Sequence, residues 1–207
     1  MPALPNISLE SLPPRERILH TAHELFYAHG THSVGIDLII ARAHVSKVTF
    51  YRQFPSKHEL ILAYLQLRHD IWMDWFDRRL TQAEGQQDAA DILADTLLEW
   101  FSEPHYRGCA FLNSACESAP MEADILARVQ QHKQAMTRRI AQLIGPNRAG
   151  MEEILSLLVD GAIVHAQYEA DPAKTADTLR RALTLLLVPA CAPSDAGPPA
   201  QTRQTRR

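Results

Sequence analysis

The stretch Gly35–Phe54, GIDLIIARAHVSKVTFYRQF, carries the most distinctive chemistry in this chain. Ile36, Ile39, Ala43, Val45, Phe50 and Phe54 fall where two short helices joined by a tight turn would bury them, with the ring of Tyr51 helping in part. What remains on the second helix is Ser46, Lys47, Val48, Thr49 and Arg52, a small, polar and cationic face of the kind that enters a major groove. Ser46 stands where an N-cap is preferred. The first turn of a helix offers free N–H groups and a positive dipole to a phosphate. Lys47 can reach a phosphate or a guanine edge, and Thr49 can give its hydroxyl to phosphate or base and its methyl to thymine. Val48 suits a thymine methyl or the groove wall, while Tyr51 and Lys57 can donate to phosphates. On pattern alone the bland alternative, two surface helices joined by a turn, stays open.

Other reactive residues form no comparable constellation. His20 and His23 lie three apart without a carboxylate-rich partner motif, and the chain has no HExxH, no CxxC and no glycine-rich phosphate loop. Asp70, Asp74 and Asp77 beside Arg78 and Arg79 read as a solvated helix face rather than a metal site. No catalytic residue, metal or cofactor is therefore expected. The three cysteines, Cys109, Cys116 and Cys191, lack paired spacing, which argues against a disulfide framework and fits a reducing cytoplasm. Cys109 and Cys116 are seven apart, on one helical face. Buried structural thiols are the commoner state, and a thiol-based sensor is the minority reading.

These residues need a scaffold, and the composition points to an all-α one. The 207 residues are 46% hydrophobic and 22% charged, with only 8 glycines, so a sizeable core is possible and disordered or collagen-like classes are excluded. No apolar run is long enough for a membrane span, and the N-terminus shows no secretion signal. Net charge is +1 over residues 1–60, −6 over 61–190 and +2 over 191–207, a weak pointer to units with different partners. Helical periodicity recurs throughout and strand alternation nowhere. Pro13-Pro14 opens a helix that Gly30 stops. Pro55 ends the helix-turn-helix, and Ser56 with Glu59 caps a long helix that Gly85 breaks. Further helices are expected from about Asp88 to Phe101, over Gly108–Glu117, from Glu122 to Ile144, from about Ala149 to Ala170, and from Pro172 or Ala173 to Val188. The count is about nine. The domain plan is an irregular leader (1–12), a three-helix head (13–58), a larger helical body (59–190) and a disordered tail (191–207).

Residues along the first 65 or so positions carry a family likeness. Arg17-Ile18-Leu19, Glu24-Leu25-Phe26, Gly30, Gly35-Ile36-Asp37, Ala43-His44-Val45-Ser46-Lys47, Thr49-Phe50-Tyr51-Arg52-Gln53-Phe54 and Ser56-Lys57-His58-Glu59-Leu60 together resemble the DNA-binding domain of TetR/AcrR transcriptional regulators. Arg107–Asn113 is also similar to a stretch found in one branch of that family. Two positions depart from the pattern. His44 replaces the usual turn glycine, although histidine is among the residues tolerated at positive φ. Gly35 stands where a hydroxyl residue often caps the first helix, so a phosphate contact there would use its backbone N–H.

The resemblance implies a regulator that binds a double-stranded, palindromic DNA operator as a homodimer, typically a repressor released by a small effector. A two-fold pair is also what one short reading helix requires for specificity. The last two long helices would pair across the dimer, with Leu158, Ala162 and Ala166 on one and Leu179, Leu183 and Leu186 on the other. A mostly apolar effector would bind between Trp72, Trp75, Trp100, Phe111 and Met136, with polar groups from Asn113, His165 and also His132. For any single aromatic, core filling is a commoner reading than contact with a ligand. The helix starting near Lys57 would be the lever between effector and DNA. The competing readings are a helical adaptor or a thiol-based sensor of the same fold.

Overall fold

The computed structural model describes residues 9–117 and 122–187, and among these every regular element is helical. The α-helices are α1 (Pro14–His29), α2 (Ile36–Arg42), α3 (Lys47–Gln53), α4 (Lys57–Ala83), α5 (Ala89–Phe101), α6 (Ala110–Glu117), α7 (Ala123–Ile144), α8 (Glu152–His165) and α9 (Pro172–Leu187). The expected leader is not wholly irregular, since Leu9–Ser11 form a 3-10 turn packed on α1. The expected tail, 191–207, lies outside the described residues.

The head is built by α1, α2, α3 and the first turns of α4. Ile18, Ala22, Leu25, Phe26, Ile39, Ala43, Phe50, Phe54, Leu60 and Tyr64 bury together there. The start signals act as expected: Pro14 occupies the first turn of α1, and the Ser46 and Ser56 hydroxyls accept from the N–H groups of Thr49 and Glu59, both at 3.1 Å. Arg15 closes the other end of α3, donating to the Gln53 carbonyl at 2.8 Å while its guanidinium stacks on the Phe54 ring.

The turn between α2 and α3 hinges on His44, whose φ of 51° is the one positive value among the described non-glycine residues. The Val45 N–H reaches back to the Ile40 carbonyl and the His44 N–H to that of Ala41, each at 3.3 Å, which is the Schellman pattern of helix termination. Val45 and Ile40 both pack on the core, supplying the apolar contact that accompanies this motif. The histidine thus does a glycine's work at some conformational cost.

The body layers α5 on α9, α4 on α7 and α7 on α8, with α6 against α7 and α4. Its interior is aromatic: Trp72 stacks on Phe76 at 4.5 Å, and Trp72, Trp75 and Trp100 meet edge to face. Charged clamps join the layers. Arg180 on α9 donates to Asp91 and Asp95 of α5 at 2.7 and 2.8 Å. Arg139 on α7 grips Asp77 and Glu84 at the end of α4. The acidic run on α4 is therefore only partly a solvated face: Asp74 pairs with Arg78 along the helix, but Asp77 and Arg79 are spent on ties to α7 and α5.

One helix is shorter than its periodicity suggests. The segment expected from about Ala149 to Ala170 is helical only from Glu152 to His165. Gly150 at φ 93° breaks the approach, after a 3-10 turn at Pro146–Arg148. At the far end the N–H groups of Gln167 and Tyr168 close three-residue turns on Val164 and His165. Cys109 likewise precedes α6 rather than sharing a face with Cys116; the first thiol is buried, the second exposed, and both are free.

Replacing His44 by glycine should keep DNA binding and leave the melting temperature unchanged or raised, by an amount worth up to about 1 kcal/mol. Thermal melts of the two proteins check this, and a marked drop would show that the positive φ is not the reason for the turn.

Candidate nucleic-acid interface and its ties to the body

Helix α3 presents the face anticipated from its sequence. Ser46, Lys47, Val48, Tyr51 and Arg52 are exposed and Thr49 is half-buried. Val48 is 78% exposed, an apolar side chain that no intramolecular contact explains. Ser46 and Thr49 share a hydroxyl–hydroxyl hydrogen bond of 2.9 Å, which sets both oxygens at the start of the helix. The Tyr51 ring packs edge-on against buried Phe50 and still reaches solvent. Gly35 begins α2 in extended conformation with no side-chain cap and open space around its Cα, so the first turn of α2 keeps its N–H groups free for a phosphate.

Lys57 departs from this set. It is half-buried, and its ammonium donates to the His32 carbonyl at 3.4 Å. Burial lowers its pKa, while nearby Glu117 acts in the opposite sense. The lysine therefore lies against the α1–α2 loop instead of pointing outward with Lys47, so the expected phosphate contact from Lys57 requires that it leave this position.

That loop is held from above by a residue the sequence reading did not single out. Glu117, the last residue of α6, accepts from the Thr31 N–H at 2.6 Å, the Thr31 hydroxyl at 2.7 Å and the His32 N–H at 3.2 Å. Gly30 makes the approach possible. Its φ is 85°, and a Cβ there would stand 2.7 Å from the Glu117 carboxylate. Tyr27 adds a second tie: its hydroxyl donates to the Gly108 carbonyl and accepts from the Arg107 N–H, both at 3.1 Å. A polar cavity of about 280 Å³ lies between these ties, lined by Tyr27, Thr31, Arg107, Asn113 and Glu117 among others. The head is thus joined to the body through α6 as well as through α4.

A third tie lies beside the start of α4. His58 faces Glu122 with one ring nitrogen and Asp124 of α7 with the other, the latter at 2.5 Å. The hydrogen bond to Asp124 raises the pKa of His58, against the pull of burial, and lowers that of Asp124. Among the described residues these three form the one cluster of His and carboxylate groups close enough to hold a cation. The ion pairing accounts for the arrangement without one.

Comparison with known proteins bears on what this head is for. The family of bacterial regulatory proteins typified by tetR matches residues 18–64, which cover α1 to the start of α4. The transcriptional activator FasR of Mycolicibacterium smegmatis is 49% identical over 55 residues, 27% of this chain and 25% of that protein. The regulator UidR of Escherichia coli is 40% identical over 58 residues, 28% and 30% of the two chains. The matched stretch thus spans less than a third of either curated relative. A solved TetR-family regulator from Streptomyces coelicolor extends the likeness to the whole fold, at 32% identity over 84% of this chain and 88% of that one, with a TM-score of 0.71.

The chain belongs to the TetR family. It is a DNA-binding transcriptional regulator in this sense, and not an enzyme.

Within this TetR-family body, the residues expected to hold an effector do not all come together. Trp72, Trp100 and Phe111 line one small closed cavity with Arg68, Cys109, Ala110 and His132. Trp75 and Met136 are buried core, the indole N–H of Trp75 donating to Glu99 at 3.4 Å. Asn113 lines the polar cavity by the head and donates to the Arg107 carbonyl. His165 is engaged with the Thr175 hydroxyl between α8 and α9. His132, the third polar group expected, does lie beside the aromatic cluster, and Arg68 joins it there.

The residues expected on the dimer stripe lie mostly inside the chain. Ala162, Ala166, Leu179 and Leu183 are buried in the chain's own core and Leu158 is half-buried; only Leu186 is exposed. The free apolar face of α8 is instead Ile154, Leu157, Val164 and, just beyond the helix, Tyr168, with exposed Gly161 between them and Leu185 and Leu186 on α9. The positions 154, 157, 161, 164 and 168 follow alternating steps of three and four, as a helix-pairing seam requires.

The raised pKa of His58 means its ion pairs stabilise fully below the unfolded value of about 6.5 and fade as pH rises through the folded value. The lowered Asp124 pKa works in reverse and is lost only in acid. His58→Gln should therefore lower the melting temperature more at pH 5.5 than at pH 8.5, which melts at the two pH values measure directly.

Proposed function

We propose that this protein is a homodimeric, cytoplasmic repressor whose hold on a palindromic operator is released by a small effector. The observation that carries the reading is the α3 face: an apolar Val48 and cationic Lys47 and Arg52 standing free on a helix whose other side is anchored by fully buried Phe50. Such a face meets base edges and phosphates in a major groove. The seam at Ile154, Leu157, Gly161, Val164 and Tyr168 supports pairing of α8 and α9 with their copies, which would set two heads about one helical turn of DNA apart. Among the described residues no helix is long and apolar enough to cross a membrane, in keeping with a partner list of operator DNA, effector and second copy.

The three ties between head and body support release by an effector. The Glu117 carboxylate, the Tyr27 hydroxyl and the His58 ion pairs, acting with the continuous α4, transmit any movement of α6, α7 or α4 to α1 and hence to α3. An effector that binds better when these ties are rearranged lowers DNA affinity by the difference, commonly about 1–3 kcal/mol. A thiol-based alternative has Cys109 and Cys116 to work with, one buried and one exposed, and no bond between them.

Fluorescence anisotropy on DNA selected from a random pool tests the reading. Binding should fall steeply with salt. Lys47→Ala should weaken it and reduce the salt slope by about one, leaving the fold intact. Leu157→Glu should give a monomer by light scattering with strongly reduced DNA affinity. Equal binding by the Lys47 variant, or a Leu157 variant still dimeric, would contradict the respective part. A reporter gene placed behind the selected site should be lowered by the protein; activation would reverse the sign of the regulation.

A further inference from the structure

The middle of α4 holds a cation that meets no anion among the described residues. Arg68 is 2% exposed, and among the described residues it enters no ion pair. Its guanidinium lies over the Tyr27 ring at 3.8 Å and 3.4 Å from His23 Nε2. Neither neighbour brings charge. His23 is held neutral, its pKa pushed down to about 3 by burial first and then by Arg68 and His20. His132, on the other side of the cavity, is kept well below its ordinary value by burial, with Lys133, His69 and Arg68 adding to the effect. A buried, uncompensated charge is costly, and proteins keep one where something pairs with it.

A second observation converges on the same place. Trp72 stands four residues after Arg68, on the same face of α4, and its buried indole N–H finds no hydrogen-bond partner among the described residues. Both residues line the closed cavity completed by Trp100, Cys109, Phe111 and His132. An unpaired cation and an unpaired donor therefore share one pocket whose remaining walls are mostly aromatic.

We propose that Arg68 and Trp72 are the anion-recognising end of the effector site, and that the effector is a small organic carboxylate with a flat or linear apolar body. One oxygen accepts from the guanidinium and the other from the indole N–H, and the body displaces the Phe111 and Trp100 rings. The cavity measures about 10 Å³ as it stands, room for a single water at most, so entry requires those rings to move. Phe111 stacks on His132 at 3.7 Å and rides on α6, the same eight-residue helix that ends in Glu117. Opening the pocket thus shifts the carboxylate that grips Thr31 and His32. This deepens the effector-release reading and rests on it for the link to DNA, but not for the binding itself.

The test uses the full-length protein without DNA. Benzoate, 1-naphthoate and decanoate are each compared with the matching neutral amide, by tryptophan quenching and by melting temperature. At least one carboxylate should bind saturably and ten or more times tighter than its amide. Arg68→Met should abolish that preference and raise the melting temperature of the empty protein, because a buried charge without a partner is removed. Trp72→Phe, which removes the donor together with part of the ring, should weaken the carboxylate several-fold more than it weakens the amide. The inference is overturned if no carboxylate exceeds its amide, if chloride or phosphate stabilises equally well, or if Arg68→Met lowers the melting temperature or retains the preference. DNA anisotropy on the same samples separates the two readings. A protein that binds DNA but prefers no carboxylate sinks this inference alone, and one that prefers a carboxylate but binds no DNA sinks the regulator reading alone.

Discussion

A single unbroken helix governs how this protein is put together. Over its 27 residues α4 supplies Leu60 and Tyr64 to the core of the head, and Trp72, Trp75 and Phe76 to the core of the body. The reading helix α3 cannot turn relative to the body without either bending α4 or unpacking one of those cores. Densely packed interiors resist small adjustments and favour discrete alternatives. The other connections therefore act on a stiff lever: Glu117 from α6, Tyr27 from α1 and His58 at the foot of α4 hold its lower end in one orientation.

Polar ties suit this role better than apolar packing would. Three donors on one Glu117 carboxylate give a contact that is strong when aligned and lost quickly when displaced by an ångström or two. The base of the head thus has a defined resting position and a short route out of it. The uncompensated Arg68 lies one turn of α4 beyond Tyr64, between this polar region and the aromatic core. A charge at that boundary makes occupancy of the pocket an electrostatic event felt along α4 and α6 together.

Much of this was legible in the sequence where the determinants are local. Pro14, Gly30, Ser46, Pro55 and Ser56 act on their own few residues, so the helix borders of the head follow from them. The α3 face was readable because the spacing of Phe50 and Phe54 fixes which side is inward. The exposed apolar face of α8 was not. That helix is apolar nearly all round, with Leu155, Val159 and Ile163 inward and Ile154, Leu157 and Val164 outward, so periodicity cannot tell which apolar side is buried. Arg68 and Glu117 were missed for a different reason. Nothing near either residue signals that a long helix buries an arginine, or that a glutamate reaches a loop 86 positions earlier. Those facts belong to tertiary packing alone.

The claim on which the account turns is that two copies of α3 enter successive major grooves on one face of a duplex. Hydroxyl-radical footprinting of the selected DNA tests it most directly. Two protected patches related by a dyad, about ten base pairs apart on the same face, are predicted. A single patch, or uniform protection along the fragment, would contradict it.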